Sequence, residues 1–282
     1  AITKSDVLIE ALPYITAYSG KVFVIKYGGS ALVDPEIKKG VLEDIVFMSY
    51  VGIRPILVHG GGPFINEELK KLNRNVTFHN GLRVTTKKDM KVVNEVLTRL
   101  NLEIASDINK LGGKAVSLTT AKKTVIKAKP HKERKTLGCV GEIKKINLDL
   151  IRKSARPKTI PVISPVGIGP HKQFHNVNAD DVSSEISISL KAAKLVLLTD
   201  VRGIMREKGN VETLIPTIKM EETEALITDN VIQAGMIPKV RSCTNALKGG
   251  VQKTHIVDGK IPHSLLLEIF TDTGIGTEII KG

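Results

Sequence analysis

Two glycine clusters follow short apolar runs, and each carries groups able to meet an anion. Lys21 to Ile25 leads into Lys26-Tyr27-Gly28-Gly29-Ser30, and Arg54 to Val58 leads into His59-Gly60-Gly61-Gly62-Pro63. The runs, rich in β-branched residues, read as buried strands. Glycines directly after a strand let the backbone turn sharply and bring bare N–H groups close to a phosphate or carboxylate. Lys26 adds a mobile positive charge at the carboxyl end of its strand, where open α/β sheets bind ligands. A solvated βα turn explains either cluster alone. Two clusters on neighbouring parallel strands would open at one sheet edge and form an anion cradle.

Further polar residues extend this chemistry. Arg83, in Gly81-Leu82-Arg83-Val84-Thr85, is expected on a loop just before a helix, where a guanidinium suits bidentate capture of a carboxylate or simply faces water. His175-Asn176-Val177-Asn178-Ala179-Asp180 opens a helix predicted over 179–191. Asn178 suits the cap, and Asp180 and Asp181 suit the positive helix end. Capping accounts for one or two of these groups, not for Asn176, Asn178, Asp180 and Asp181 together. Gly235-Met236-Ile237-Pro238-Lys239-Val240 opens a helix over 238–248. Lys239 near a positive helix end is unfavourable unless an anion shares the site.

The elements that must position these residues alternate α and β throughout. A leading helix is expected over 3–19, capped by Ser5 or Asp6 and kinked or divided by Pro13. Asp34-Pro35 starts a second helix that Gly52 ends, and a third runs from Ile65 to Leu72. Thr85 or Thr86 caps a long helix over 87–111. Strands are expected at 114–119 and 124–128, a hairpin arm at 138–145, a short helix at 147–153 and a strand at 160–164, with Pro161 at an edge or terminal ladder position. Strand 194–200 ends in Thr199-Asp200. Helix 220–227, strand 253–257, helix 263–269 and strand 276–280 complete the pattern.

Composition narrows the class. The 282 residues are 41% hydrophobic but only 4% aromatic, so the core rests on Ile, Leu and Val. No apolar run approaches the ~18 residues of a membrane span. Lys4, Asp6 and Glu10 interrupt the first apolar residues, so no signal peptide is expected there. Cys139 and Cys243 form no metal-binding pair and read as free thiols in a reducing compartment. The net charge of +13 is concentrated at 121–158, where 13 Lys/Arg face Glu133, Glu142 and Asp149. Without a single Phe, Tyr or Trp in that segment to stack on bases, a solvated basic face is favoured over a nucleic-acid surface. The phosphate loop Gly-x-x-x-x-Gly-Lys-Ser/Thr, Gly-x-Gly-x-x-Gly, His-Arg-Asp, Asp-Phe-Gly, His-Glu-x-x-His and Gly-x-Ser-x-Gly are all missing.

The six segments around Lys26, His59, Arg83, Asn176, Thr199 and Lys239 occur in the order seen in N-acetylglutamate kinases, within the amino acid kinase superfamily, and the likeness runs from about residue 7 to the C-terminus. The resemblance implies an α/β fold, a three-layer αβα sandwich around a mainly parallel open sheet. It implies a single domain over 1–282, with an oligomerisation helix at 1–20, an N-lobe for substrate at 21–177 and a C-lobe for nucleotide at 178–282. The implied reaction moves the γ-phosphoryl of ATP onto the side-chain carboxylate of N-acetyl-L-glutamate in arginine biosynthesis. Lys26 and Lys239 would flank the phosphoryl group, and Asp180 would hold both. Gly28, Gly29, Gly61 and Gly62 would supply amides. Arg83 and Asn176 would bind the substrate carboxylate, and Thr199, Asp200, Gly235 and Met236 the nucleotide. Magnesium would be held mainly by ATP phosphates, with no protein metal site.

Val7 to Ile15 and the tail from His263 to Thr277 resemble the arginine-inhibited, hexameric branch. That likeness implies a trimer of dimers and an arginine site near Glu268 and Gly276. A PII-type signalling protein is a partner of some such relatives. The compartment would be the cytoplasm, or a plastid stroma. Departures from the pattern fall at Gln233-Ala234, Leu118-Thr119-Thr120, Thr98-Arg99 and the basic stretch 122–135. Ala234 and the basic segment keep open a catalytically weak arginine-sensing or nucleic-acid-binding protein; a related kinase for glutamate, aspartate or carbamate is the other alternative, against which the Asn176-to-Asp180 motif and Arg83 favour the acetylated substrate.

Overall fold

A computed structural model describes residues 2–119, 123–233 and 235–282, with side chains from residue 9 onward. Helix α1 spans Ile2–Tyr18, strand β1 Val22–Tyr27, α2 Pro35–Tyr50, β2 Arg54–His59 and α3 Gly62–Lys71. Next come β3 Phe78–His79, β4 Leu82–Arg83, α4 Lys87–Lys110, β5 Ala115–Leu118, β6 Ile126–Pro130, α5 Arg134–Leu137 and β7 Gly141–Ile146. They are followed by α6 Leu148–Ser154, β8 Ile160–Ile163, β9 Val166–Ile168, β10 Phe174–Asn176, α7 Ala179–Leu190 and β11 Lys194–Thr199. The last elements are β12 Thr217–Lys219, α8 Thr223–Thr228, α9 Met236–Lys248, β13 Lys253–Asp258, α10 Ser264–Ile269 and β14 Thr277–Ile280.

One sheet in the order β12-β14-β13-β11-β1-β2-β8-β5 forms the middle layer. Its pairs are parallel except β13 with β14. Alternation along its central strands explains the layers. Phe23, Ile25, Leu57, Val196 and Leu198 join one buried cluster with residues of α2, α4 and α10. Val24, Ile56, Val58, Leu195 and Leu197 join another with residues of α7 and α9. Both faces are therefore dry, and function is left to the strand ends. The fold is the expected αβα arrangement.

Local signals placed several helices correctly. Asp34 accepts from the amides of Glu36 and Ile37 at the start of α2, and Pro35 fills the first turn. Thr86, rather than Thr85, caps α4 in a reciprocal box with Asp89. Asn178 accepts from the amides of Asp180 and Asp181 at the start of α7.

Other expectations change. α1 runs through Pro13 undivided and begins at Ile2, so Ser5 and Asp6 lie within it rather than at its cap. Pro161 stands in interior strand β8, where pairing with β2 begins only at Val162, so the missing N–H falls at the end of that ladder. Arg83 is on strand β4 of a hairpin, not on a loop. Strands β6, β7, β9 and β10 build a separate four-stranded sheet, in the order β10-β9-β6-β7, of which the sequence pattern predicts only the strands near β6 and β7. A bridge between Thr85 and Gly138 joins the end of the β3–β4 hairpin to the loop before β7, and one between Val140 and Asn176 ties that loop to β10. Lys127, Lys129, Lys144 and Lys145 of the basic segment 121–158 lie in this sheet, where Lys129 pairs with Glu142. Thr120, Lys122 and Ala234, where the sequence departs from the family pattern, lie outside the described residues.

Candidate active site

β1 and β2 are paired in register from Val22 with Arg54 to Tyr27 with His59, so both glycine clusters leave the same sheet edge. They also touch. A Cβ at Gly28 would come within 3.4 Å of the Gly60 Cα and 3.2 Å of Lys26 Nζ. β11 lies on the other side of β1 and ends in Thr199. α7 packs against β1, and its first turn brings Asp180 to this edge.

Asp180 is the centre of the arrangement. Lys26 Nζ lies 3.0 Å from its Oδ1, an ion pair without hydrogen-bond alignment, whereas Lys239 donates to its Oδ2 at 3.1 Å. Burial alone would raise the Asp180 pKa, but the two ammonium groups outweigh it and hold the carboxyl at about 2. Burial pushes the Lys26 pKa down, Asp180 opposes that shift, and Lys239 adds to it. The triad carries one net positive charge at a largely dehydrated point. An incoming anion would complete its neutralisation.

Two clefts meet at this triad. The first, of about 260 Å³, is lined by Lys26 and Asp180, by Gly29, Gly60, Gly61 and Gly62, and by Arg83 and Asn176. Arg83 is buried, donates from Nη2 to Asn66 Oδ1 at 2.5 Å, and stacks over Phe78 at 4.9 Å. Its Nη1 is buried with no acceptor among the described residues, so a guanidinium edge stands ready for an oxygen ligand. Asn176 donates to Thr85 Oγ1 at 3.2 Å, which fixes the amide on the same wall. The second cleft, of about 460 Å³, is lined by Thr199, Asp200, Gly235, Met236 and Lys239, with Val201, Ile204, Met205 and Val231 giving apolar walls. Apolar walls with a lysine at one end match a flat heterocycle carrying phosphates.

Residues 21–258 match the amino acid kinase family. The chain belongs to that family. The acetylglutamate kinase of Syntrophomonas wolfei is 47% identical over 282 residues, covering 100% of this chain and 98% of the relative. That of Nostoc is 49% identical over 279 residues, covering 99% and 94%. In structure, N-acetylglutamate synthase from Neisseria gonorrhoeae complexed with coenzyme A and N-acetyl-glutamate matches with a TM-score of 0.87 at 26% identity. It is covered over 63% of its length by 99% of this chain. Carbamate kinase from Giardia lamblia bound to AMP-PNP shares the fold, with a TM-score of 0.69 at 16% identity over 94% of this chain and 100% of that one.

This member of the amino acid kinase family is thus a phosphotransferase. The residues singled out in the sequence are separate on the chain and adjacent in the fold. Gly28, Gly29, Gly61 and Gly62 surround Lys26; Arg83 and Asn176 face them across the first cleft; Thr199, Asp200, Gly235 and Met236 line the second. Glu268 lies elsewhere, in a cleft of about 330 Å³ between α1 and the C-terminal elements. There His255 Nδ1 is 2.6 Å from Glu268 Oε1, while the amides of Ile275 and Gly276 donate to Oε2 at 2.8 and 2.9 Å. Gly276 therefore stands behind Glu268, and a Cβ there would meet the Ile256 carbonyl at 2.4 Å.

Sequence reasoning missed Asn66 and Phe78, which orient Arg83, and Tyr14, Tyr18, Lys194 and His255, which share the Glu268 cleft. Asn66 falls at helical spacing after the second glycine cluster, a weak signal. Nothing local marks Lys194 or His255, because each looks like an ordinary residue within a strand.

Proposed function

We propose that this phosphotransferase moves the γ-phosphoryl of ATP to the side-chain carboxylate of N-acetyl-L-glutamate. The observation that carries the reading is Asp180, which bridges Lys26 of the acceptor cleft and Lys239 of the nucleotide cleft. An acceptor carboxylate is already ionised at neutral pH, so the reaction needs no strong base. It needs alignment of two anions and relief of their repulsion. A carboxylate oxygen forms the new bond to phosphorus as the bond to the bridging oxygen breaks, and ADP leaves with that electron pair. Lys26 and Lys239 neutralise the transferring group, and Asp180 keeps them from drifting apart. The amides of the glycine clusters donate to its oxygens, and Arg83 and Asn176 hold the α-carboxylate of the acceptor. Thr199, Asp200, Gly235 and Met236 border the nucleotide. Magnesium would be held mainly by the ATP phosphates and would supply further charge neutralisation.

The division into a substrate lobe over 21–177 and a nucleotide lobe over 178–282 belongs to this reading. So does regulation by arginine at Glu268. Support comes from the Glu268 carboxylate in the cleft beside α1, which Asp272 and Glu278 also line together with Lys194 and Lys253, and from the Neisseria gonorrhoeae synthase complexed with L-arginine, which matches with a TM-score of 0.83 at 27% identity over 99% of this chain and 65% of that one. A hexamer interlaced through α1, a PII-type partner and a cytoplasmic place complete it. Ile9 and Leu12, exposed on α1, are apolar contacts such an interlacing would cover.

The deciding assay traps acyl phosphate with hydroxylamine in the presence of ATP and N-acetylglutamate, glutamate, aspartate or carbamate, with and without arginine. N-acetylglutamate is expected to give the highest kcat/KM. No turnover of it by folded protein would defeat the reading, and unchanged rates with arginine would remove the regulatory part alone.

A further inference from the structure

His59 and Asn101 are both fully buried, yet neither belongs to the groups assigned so far. His59 ends β2 immediately before the second glycine cluster. Its Nδ1 lies 2.9 Å from the Gly60 carbonyl oxygen, and its Nε2 lies 3.0 Å from Asn101 Nδ2. The same Asn101 nitrogen donates to the Val162 carbonyl at 3.0 Å, and Ser117 Oγ donates to Asn101 Oδ1 at 2.5 Å. This relay spans β5, α4 and β2 beneath the loop.

The contacts assign the protons. A carbonyl can only accept, so the Asn101 atom facing Val162 is the amide nitrogen. An amide nitrogen can only donate, so His59 Nε2 is the acceptor. The ring proton is therefore on Nδ1 and is directed at the Gly60 carbonyl. Burial keeps the ring neutral by pushing its pKa down to about 4, with the Gly60 carbonyl opposing the shift.

A peptide bond between two glycines has little steric preference and turns over easily. In a planar trans peptide the carbonyl and the following N–H point in opposite directions. Holding the Gly60 carbonyl toward His59 therefore turns the Gly61 N–H the other way, on the wall of the acceptor cleft that Gly60 and Gly61 line. We infer that His59, fixed in one tautomer by Asn101, is a positioning residue that sets the Gly60–Gly61 peptide and directs the Gly61 amide at the transferring phosphoryl group. This rests on the proposed kinase reaction. An amide held beforehand in that direction stabilises charge that develops only in the transition state.

Two measurements test it. Nitrogen NMR of the parent protein should show a neutral His59 ring protonated on Nδ1 across roughly pH 5.5 to 8.5. In steady-state kinetics, His59→Leu should lower kcat roughly 100-fold while KM for both substrates stays within about threefold. His59→Asn places an amide nitrogen where Nδ1 was and should restore kcat to within roughly tenfold of the parent. An Nε2-protonated ring in the parent would overturn the assignment even if His59→Leu did not fold. A folded His59→Leu with nearly full kcat, or an Asn variant no better than Leu, would overturn the positioning role. No turnover by the parent sinks the kinase reading itself, and the role with it.

Discussion

At the scale of single residues, the chemistry rests on charges that oppose one another at close range. Asp180 is held at about pKa 2 because two ammonium groups outweigh its burial, and those groups can stay together at the site only because Asp180 lies between them. Lys239 is half of that balance and lines the second cleft. Lys239→Ala is expected to lower kcat by roughly 10² to 10³ with KM within a few-fold. A rise in KM at constant kcat would show that Lys239 binds the ground state and the transition state alike. His59 gives a second expectation. Its folded pKa of about 4 lies below the ~6.5 of a free imidazole, so the unfolded chain takes up that proton first as pH falls. The stability it contributes is complete above about pH 6.5 and is lost toward pH 4, by on the order of 3 kcal/mol. Urea midpoints measured across that range should show the slope, and His59→Asn should flatten part of it. His255 and His175, whose pKa values are also lowered by burial, would contribute to the remainder. An equal slope in the variant would contradict a buried neutral ring at position 59.

At the scale of elements, the parallel sheet presents the ends of β1, β2 and β11 to one edge, and the small sheet provides the opposite wall. The link between the small sheet and the Arg83 hairpin is short. The Thr85 amide donates to the Leu137 carbonyl at 3.1 Å, and the Cys139 amide donates to the Thr85 carbonyl at 2.7 Å. Gly138 makes that approach possible: its φ is +68°, and a Cβ there would meet the Thr85 carbonyl oxygen at 2.3 Å. Gly138→Ala is expected to destabilise the protein by at least about 2 kcal/mol and to raise KM for the acceptor more than KM for ATP. The reason is that Arg83 and Asn176 stand on the two sides of this link. Equal changes in both KM values would mean that the two clefts do not respond separately.

At the scale of the whole molecule, α1 packs Tyr14 and Tyr18 beside the Glu268 cleft yet leaves Ile9 and Leu12 exposed. An element with one face on a cleft and another uncovered can couple an effector to assembly. Removing residues 1–18 is expected to reduce a hexamer to dimers in sedimentation and to abolish arginine inhibition while leaving turnover without arginine within roughly threefold. Retention of both assembly and inhibition would detach α1 from regulation.

The amino-acid sequence by itself determined the alternation of strands and helices, because apolar periodicity, Asp34-Pro35, Asn178 and the glycine clusters act over a few residues. It also named the groups of the triad, since Lys26, Asp180 and Lys239 sit in recognisable local settings at a strand end and two helix starts. It did not determine that β6, β7, β9 and β10 form a second sheet, because the pairings of β6 with β9 and of Val140 with Asn176 join residues tens of positions apart. Nor did it place Arg83 on a strand, since β4 is two residues long and exists only by pairing with β3. The proton on His59 was decided by tertiary structure alone. It depends on Asn101 and Val162, which reach the ring from α4 and β8, and no local pattern around position 59 encodes which of its nitrogens must accept.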